Sequence, residues 1–425
     1  MLIYIPILLL FVFLIFGVPV FLSMSMSGAI GLYLVGGTKS LIGIFAATSF
    51  SSVAHYELLA VPLFILMAQF LTTSNITGDL FRVAQIWLGR LPGGLAIATV
   101  IAGAGLGALS GTSTGSAATL ASAAVPEMKK HGYAPKLSMG VVSISGTLAI
   151  MIPPSGTFII FGLISGYSIT DLFRAGVIPG IVTGLVYCGV VLIWVKIRPQ
   201  DAPTLTEKIP LKEKVASLRN LWPILLLLTI VLVSIFSGWV TVTEAAGIAA
   251  LGAFLIPLFM GRFTYRKIET ALLSTLKTTT MIFSIIIGAM AFGYYLTLTQ
   301  VTTKIVAFIA GLNVSPPYIM LALVLLYAFL GFFMDQVAIL YLTLPLSVPI
   351  VESLEINMFW FAVMIVAAAE TGLVTPPVGL NCYVAAGAAG ESLETTFAGV
   401  TPFIIAEFAV LILLFLVPWF STVLL

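Results

Sequence analysis

Apolar runs of about 20 residues recur along nearly the whole chain, and that recurrence leaves few folds open. At roughly 1.5 Å per helical residue, each run can cross a hydrocarbon core of about 30 Å. Within lipid the backbone must satisfy its own hydrogen bonds, so only helices and closed barrels can span. Barrel strands would alternate in segments of about ten residues, and no such alternation occurs. The chain reads as an all-α polytopic membrane protein. Its 60% hydrophobic and 8% charged residues agree, as does a mean hydropathy of +1.19. Residues 1–20 form a full-length apolar run without a basic leader, so no removable signal peptide is expected. Cys188 and Cys382 lie in apolar runs and imply no disulfide framework.

The one extended hydrophilic segment, 196–220, is rich in proline and charge and sits near the midpoint, as a linker between halves would. Repeated spacings flank it. Pro92 and Gly107 are 15 residues apart, as are Pro316 and Gly331; Pro126 and Pro153 are 27 apart, as are Pro349 and Pro376. "PILLLFVFLIFG" from Pro6 resembles "PILLLLTIVLVSIFSG" from Pro223, and "GAIGL" at Gly28 resembles "GIAAL" at Gly247. In order, these matches indicate a duplication: 1–197, a linker at 198–220, and 221–425. In the first half the expected spans are 3–21, 23–37, 57–73 and 174–197, with a hairpin at 93–128 and a broken helix at 137–165. The second half gives spans 221–238, 242–260, 279–298 and 402–424, a hairpin at 315–351 and a broken helix at 357–389.

Charge placement decides how 93–128 and 315–351 sit. If both are re-entrant hairpins and the linker is cytoplasmic, all 18 Lys and Arg residues except Lys39, Arg174 and Lys304 fall inside. A single crossing at 93–128 would separate Arg82 and Arg90 from Lys129, Lys130 and Lys136. The hairpin reading gives about ten transmembrane helices in two inverted repeats, with both termini on the outer face. Trp87, Trp194, Trp222, Trp239, Trp360 and Trp419 fall near run ends, where an aromatic belt sits.

The stretch "LAIMIPPSGTFII", 148–160, interrupts an apolar run with Pro153, Pro154, Ser155 and Gly156. Irregular backbone at membrane depth is tolerated only when buried in protein or lining a cavity. The prolines donate no backbone hydrogen bond and free carbonyls one turn upstream, around 145–149. "GALSGTSTGSAATLA", 107–121, offers a hydroxyl-rich hairpin tip at 110–115 to face that break. The second half repeats the device: "GFFMDQVAI", 331–339, faces "ETGLVTPPVGLN", 370–381, with its Pro376 and Pro377. A lone Pro-Pro pair reads as a kink; two pairs at matched positions read as a site. Carbonyl and hydroxyl oxygens suit a hard cation such as Na⁺. Asp335 and Glu370 add candidate ligands, because a carboxylate in the apolar phase costs about 2.5–3.5 kcal/mol on insertion scales. The plainer alternative for each is an interfacial or internally bonded acid.

"GALSGTSTGSAAT", "VPEMKKHGY", "GTLAIMIPPSGTFIIFG", "TEAAGIAAL" and "ETGLVTPPVGLNCYV" together resemble the large membrane subunit of tripartite ATP-independent periplasmic (TRAP) transporters, DctM or SiaM type. The resemblance covers essentially the whole chain. It implies a Na⁺-driven elevator in the bacterial inner membrane, in which scaffold segments 3–73 and 221–298 support a moving domain of two hairpins and two broken helices, with a small four-helix membrane subunit and a soluble periplasmic substrate-binding protein as partners. Carried over by motif, the first Na⁺ site falls on Ser110, Ser113, Gly146 and Ala149, and the second on Asp335, Gln336, Thr371 and Thr375. The first tip is neutral and the second holds an acid, so their ion affinities are expected to differ.

Family members carry organic acids, commonly C4-dicarboxylates or sialic acid. No Arg or Lys occurs from position 316 to 425, so a carboxylate would be held by half-helix N-termini, hydroxyls and bound Na⁺. Thr114, Ser116, Ser155, Thr157 and Asn381 are the candidate substrate contacts. A self-sufficient Na⁺/carboxylate symporter of related fold is the alternative, and a non-transporting scaffold or a channel is a third. "GGTKS", 36–40, lacks the Gly-Lys pair of a phosphate loop, so ATP-driven pumping is not expected. His55 and His131 lie at expected membrane edges, and no histidine pairs with Ser110 or Ser113, so no enzymatic activity is expected. Glu57 and Glu244 read as packing or partner residues. The formal charge of +2 says nothing of partners, and no nucleic acid is expected.

Overall fold

The computed structural model describes residues 4–204, 210–311 and 314–425, and every regular element among them is a helix. The first half begins with α1 (Ile5–Ile15), α2 (Val20–Ser51), α3 (Ala60–Thr73) and α4 (Ile76–Leu88). A hairpin of α5 (Gly94–Ser110) and α6 (Ser113–Lys130) follows. Then come three successive pieces, α7 (Pro135–Ser145), α8 (Leu148–Met151) and α9 (Gly156–Ser165), and the long α10 (Ile169–Ile197). In the linker, α11 (Leu211–Leu218) lies along α4, where Trp87 Nε1 donates to the Lys214 carbonyl at 3.1 Å. The second half runs α12 (Trp222–Phe236), α13 (Val242–Phe259), α14 (Tyr265–Leu298) and α15 (Val301–Gly311). A second hairpin, α16 (Pro316–Gly331) and α17 (Gln336–Ser353), precedes α18 (Met358–Val374), α19 (Leu380–Ala389), α20 (Leu393–Leu416) and the short α21 (Trp419–Thr422).

Helix starts follow local chemistry. Proline opens α7 and α16, where its missing N–H costs nothing. Ser168, Asn357 and Ser392 cap α10, α18 and α20 by accepting first-turn amides. Glu244 closes a capping box on α13, its carboxylate accepting the Thr241 amide at 2.7 Å. That local role accounts for an acid that sequence alone assigned to packing or a partner.

Two packed groups result. In the first, α2 crosses α14 and α3 crosses α13, with α1 and α12 alongside. In the second, α7 to α9 and α18 form the centre, enclosed by the two hairpins, α10, α19 and α20. Every residue of α18 from Phe361 to Val374 is buried, which explains a helix apolar on all sides. Lipid offers no hydrophobic drive between helices, so close backbone approach matters. A Cβ on Gly399 of α20 would lie 1.9 Å from the Lys136 carbonyl oxygen of α7, and one on Gly140 would lie 2.2 Å from the Gly399 oxygen. A Cβ on Gly28 of α2 would stand 2.7 Å from the Phe292 amide of α14. Large apolar side chains such as Leu225 of α12, Leu276 of α14 and Ile412 of α20 point outward instead, toward lipid.

Nine helical stretches among the described residues are long and apolar enough to cross a bilayer, namely α17 of the second hairpin and eight of the ten expected spans. The expected span 3–21 is not one helix: α1 has 11 residues and ends before Gly17, whose φ of 75° turns the chain into α2. The expected span 23–37 continues to Ser51, bending at Gly37 (φ 65°). The span 279–298 is the second part of the 34-residue α14, which absorbs the amphipathic connector before it. Salt bridges lie at helix ends, as between Arg262 and Asp79 at 2.5 Å.

Candidate functional site

The first hairpin turns at Gly111 (φ 59°), a left-handed position that suits glycine, and Thr112 is extended before Ser113 opens α6. This tip lies directly on the broken helix of its own half. A Cβ on Gly107 would come 2.3 Å from Ala149 Cα, and one on Gly103 would come 2.7 Å from Ser145 Cβ. A Cβ on Gly146 would meet the Ser113 carbonyl oxygen at 2.8 Å. The second hairpin repeats the approach: a Cβ on Gly331 would lie 2.4 Å from the Ala369 carbonyl oxygen and 2.9 Å from Gly372 Cα. The equal spacing of Gly107 and Gly331 from their prolines thus has a packing cause. At the second tip, Asp335 caps α17, its carboxylate accepting the Ala338 amide at 3.2 Å.

Each tip also reaches across to the other half. Ser113 Oγ donates to Glu370 Oε2 of α18 at 2.8 Å and accepts from Asn381 Nδ2 of α19 at 2.5 Å. At the second tip Gln336 Nε2 donates within its own half to the Val366 carbonyl of α18 at 3.0 Å, while Thr157 Oγ1 of α9, from the first half, donates to Gln336 Oε1 at 3.5 Å. Pairing each tip with its own broken helix is therefore incomplete, because the downstream half-helices α9 and α19 are exchanged. The neutral reading of the first tip also changes: Glu370 of the second half brings a carboxylate to Ser113.

The remaining candidates take plainer positions. Ser145 and Thr371 donate back into their own helices, to the Val141 and Ala367 carbonyls. Thr375 donates to the Thr371 carbonyl at 2.5 Å. Among the described residues, no hydrogen bond joins Asp335 to Thr371 or Thr375. The carbonyls expected to be free around 145–149 are partly re-used: Gly146 and Thr147 accept from Ala149 and Ile150 in tightened turns. Ser155 is buried and caps α9, accepting the Phe158 amide at 3.4 Å. Ser116 is buried, and Thr114 is half-buried at the start of α6. The Ser110 side chain lies outside the described residues. Both Pro153-Pro154 and Pro376-Pro377 are cis; the first pair is buried under the tip and the second is exposed.

Three buried groups escaped sequence reasoning. Glu407 of α20 accepts from Tyr187 of α10, whose hydroxyl also meets Thr147 Oγ1 at 2.9 Å beside the first break. Glu407 is an acid within an apolar run, the same signal that singled out Asp335 and Glu370. A cavity of about 810 Å³ opens between the two groups, lined by Ser52, His55, Tyr167, Thr241, Tyr294 and Tyr341 among others. It includes Gly162, five residues along α9 from Thr157, so it begins about 7–8 Å from the Thr157 and Gln336 contact. His55 and Glu57 line this cavity, while His131 Nδ1 pairs with the Glu127 carbonyl at 2.8 Å.

The model of the tripartite ATP-independent periplasmic transporter, DctM component, matches residues 7–420. The chain belongs to the DctM family. It is 34% identical over 398 residues to the C4-dicarboxylate TRAP transporter large permease protein DctM of Pseudomonas aeruginosa, covering 93% of this chain and 92% of that protein. It is 28% identical over 413 residues to the sialic acid TRAP transporter large permease protein SiaM of Vibrio cholerae, covering 96% and 95%. The crystal structure of the Alcanivorax borkumensis YdaH transporter superposes with a TM-score of 0.66 over 99% of both chains, at 14% identity, a likeness of fold. The DctM chain is thus a multi-pass, all-helical membrane protein of a transporter family.

Proposed function

We propose that this DctM chain is the large permease subunit of a Na⁺-coupled TRAP transporter that imports a small organic acid. The observation that carries the proposal is the repeated juxtaposition of a hairpin tip with a broken helix, through Gly107 on Ala149 and Gly331 on Gly372. Buried backbone breaks of this kind, rich in carbonyl and hydroxyl oxygen, suit transported Na⁺. One ion is assigned to Ser110, Ser113, Gly146 and Ala149, and the other to Asp335, Gln336, Thr371 and Thr375. The second packed group, with both hairpins, is the moving unit of the elevator, and the first is its scaffold.

The organic acid is held by the N-terminal turns of α6, α9 and α19, with Thr114, Ser116, Ser155, Thr157 and Asn381 as hydrogen-bonding side chains. Helix N-termini attract anions. The absence of Arg and Lys from 316 to 425 leaves these contacts weak enough to release substrate. The cavity between the groups, of a size suited to a small acid, is its way in. C4-dicarboxylate and sialic acid are the substrates named for the two relatives, and both are organic anions of this class. The distribution of Lys and Arg supports a cytoplasmic linker and periplasmic termini in the inner membrane. The tripartite family supports a small four-helix membrane subunit and a periplasmic binding protein as partners.

Reconstitution in liposomes tests this reading. Uptake of a C4-dicarboxylate or sialic acid is expected only with an inward Na⁺ gradient and with both partners present. Uptake by this chain alone would favour a self-sufficient symporter, and uptake unchanged when K⁺ replaces Na⁺ would sink the coupling.

A further inference from the structure

We infer that Glu370 and Asn381 complete a cation site across the two halves, with Glu370 Oε1 and Asn381 Oδ1 as ligands beside the first hairpin tip. The inference rests on the Na⁺-coupled reading above and deepens it, because it supplies the first site with a charge that the motif alone did not assign.

Both side chains are buried, Glu370 at 2% exposure and Asn381 at 0%. Among the described residues, Glu370 Oε1 and Asn381 Oδ1 have no hydrogen-bond partner. The hydrogen count explains which atoms are left over. Ser113 has one hydroxyl proton, and it goes to Glu370 Oε2. Asn381 can then meet Ser113 only by donating from Nδ2, which turns its carbonyl oxygen away from that bond, and no other described group donates to it. Two acceptor oxygens therefore remain, one on each of the two partners of a single serine, and among the described residues no cation forms a salt bridge to Glu370. Leaving a buried carboxylate oxygen unpaired is costly. A carboxylate and an amide carbonyl are hard oxygen donors, the class that takes a dehydrated Na⁺.

The position also links the ion to the substrate. Ser113 opens α6, and Asn381 lies in the first turn of α19, so two helix N-termini meet at Ser113, which bonds Glu370. An uncompensated Glu370 would repel an organic anion seeking those same N-termini. A cation on its free oxygen removes that repulsion, so the bound ion tightens the acid. By linkage the acid then tightens the ion by the same factor.

The test is Glu370→Gln in the full complex in proteoliposomes. Glutamine keeps the volume and an oxygen for the Ser113 hydroxyl but removes the charge. The Na⁺ concentration for half-maximal uptake is expected to rise at least tenfold. Asn381→Ala, which leaves the carboxylate and its serine bond in place, should also raise it. The Na⁺-induced rise in Tm of the purified complex reads the same loss if uptake is abolished. Wild-type uptake that ignores Na⁺ would overturn the coupled reading and this site with it. Na⁺-dependent wild type with an unchanged half-maximal concentration in both variants would overturn this site alone. The same result with uptake that falls as pH rises would reassign Glu370 to a proton.

Discussion

Gly331→Ala is expected to reduce uptake by about two orders of magnitude in protein that still reaches the membrane. The added Cβ would sit 2.4 Å from the Ala369 carbonyl oxygen and 2.9 Å from Gly372 Cα, both backbone atoms in a fully buried helix. Neither can swing aside, so α16 must lift from α18 by about 1 Å, an overpacking that costs roughly 1–3 kcal/mol. Asp335 and Gln336 begin four residues later and move with it. Gly107→Ala should do the same at the first tip, where the new atom meets Ala149 Cα at 2.3 Å. Gly189→Ala in α10 is the control, because nothing lies within 4 Å of its Cβ, and it should leave uptake unchanged. Uptake rates and melting curves on the three variants check this. Normal transport by Gly331→Ala would show that the tip does not need its seat.

Asp335→Asn is expected to raise the Na⁺ requirement at least tenfold while leaving the fold intact, a change of about 1.4 kcal/mol. The substitution separates two roles of one side chain. Asp335 caps α17 by accepting the Ala338 amide, and asparagine caps helices about as well as aspartate. Only the charge is lost. Asp335→Ala removes the cap too and should cost about a further 1 kcal/mol of stability. Sodium titrations of uptake, read beside Tm, distinguish them. An Asp335→Asn protein with wild-type Na⁺ dependence would leave Asp335 as a cap and nothing more.

Hydropathy and proline spacing picked out the two helix pairs, and the repeat spacing marked Gly107 and Gly331 without saying what they pack against. They could not say which distant helix each tip would touch. Glu370 stood out as an acid in an apolar run, but sequence order placed it with the second tip, and its partner is Ser113. Exchange of α9 and α19 between halves is a tertiary register that no local pattern encodes. The long α14 was hidden for a related reason. Lys267 and Lys277 make its first turns amphipathic, which reads as a connector, although the helix continues unbroken to Leu298. Glu407 carries the same signal as Asp335, but no Pro-Pro pair or hairpin tip accompanies it in sequence. Its partner Tyr187 comes from the other half.

Sodium binding by the purified complex, followed as Tm against NaCl with choline chloride holding ionic strength constant, is the most direct test of the two cation sites. A ligand at 100 times its Kd stabilises the folded state by about 2.7 kcal/mol per site. The expected result is a saturable rise in Tm that Na⁺ alone produces, shifted to higher concentration in Asp335→Asn and in Glu370→Gln. A Tm that follows NaCl and choline chloride identically would contradict Na⁺ sites at the hairpin tips.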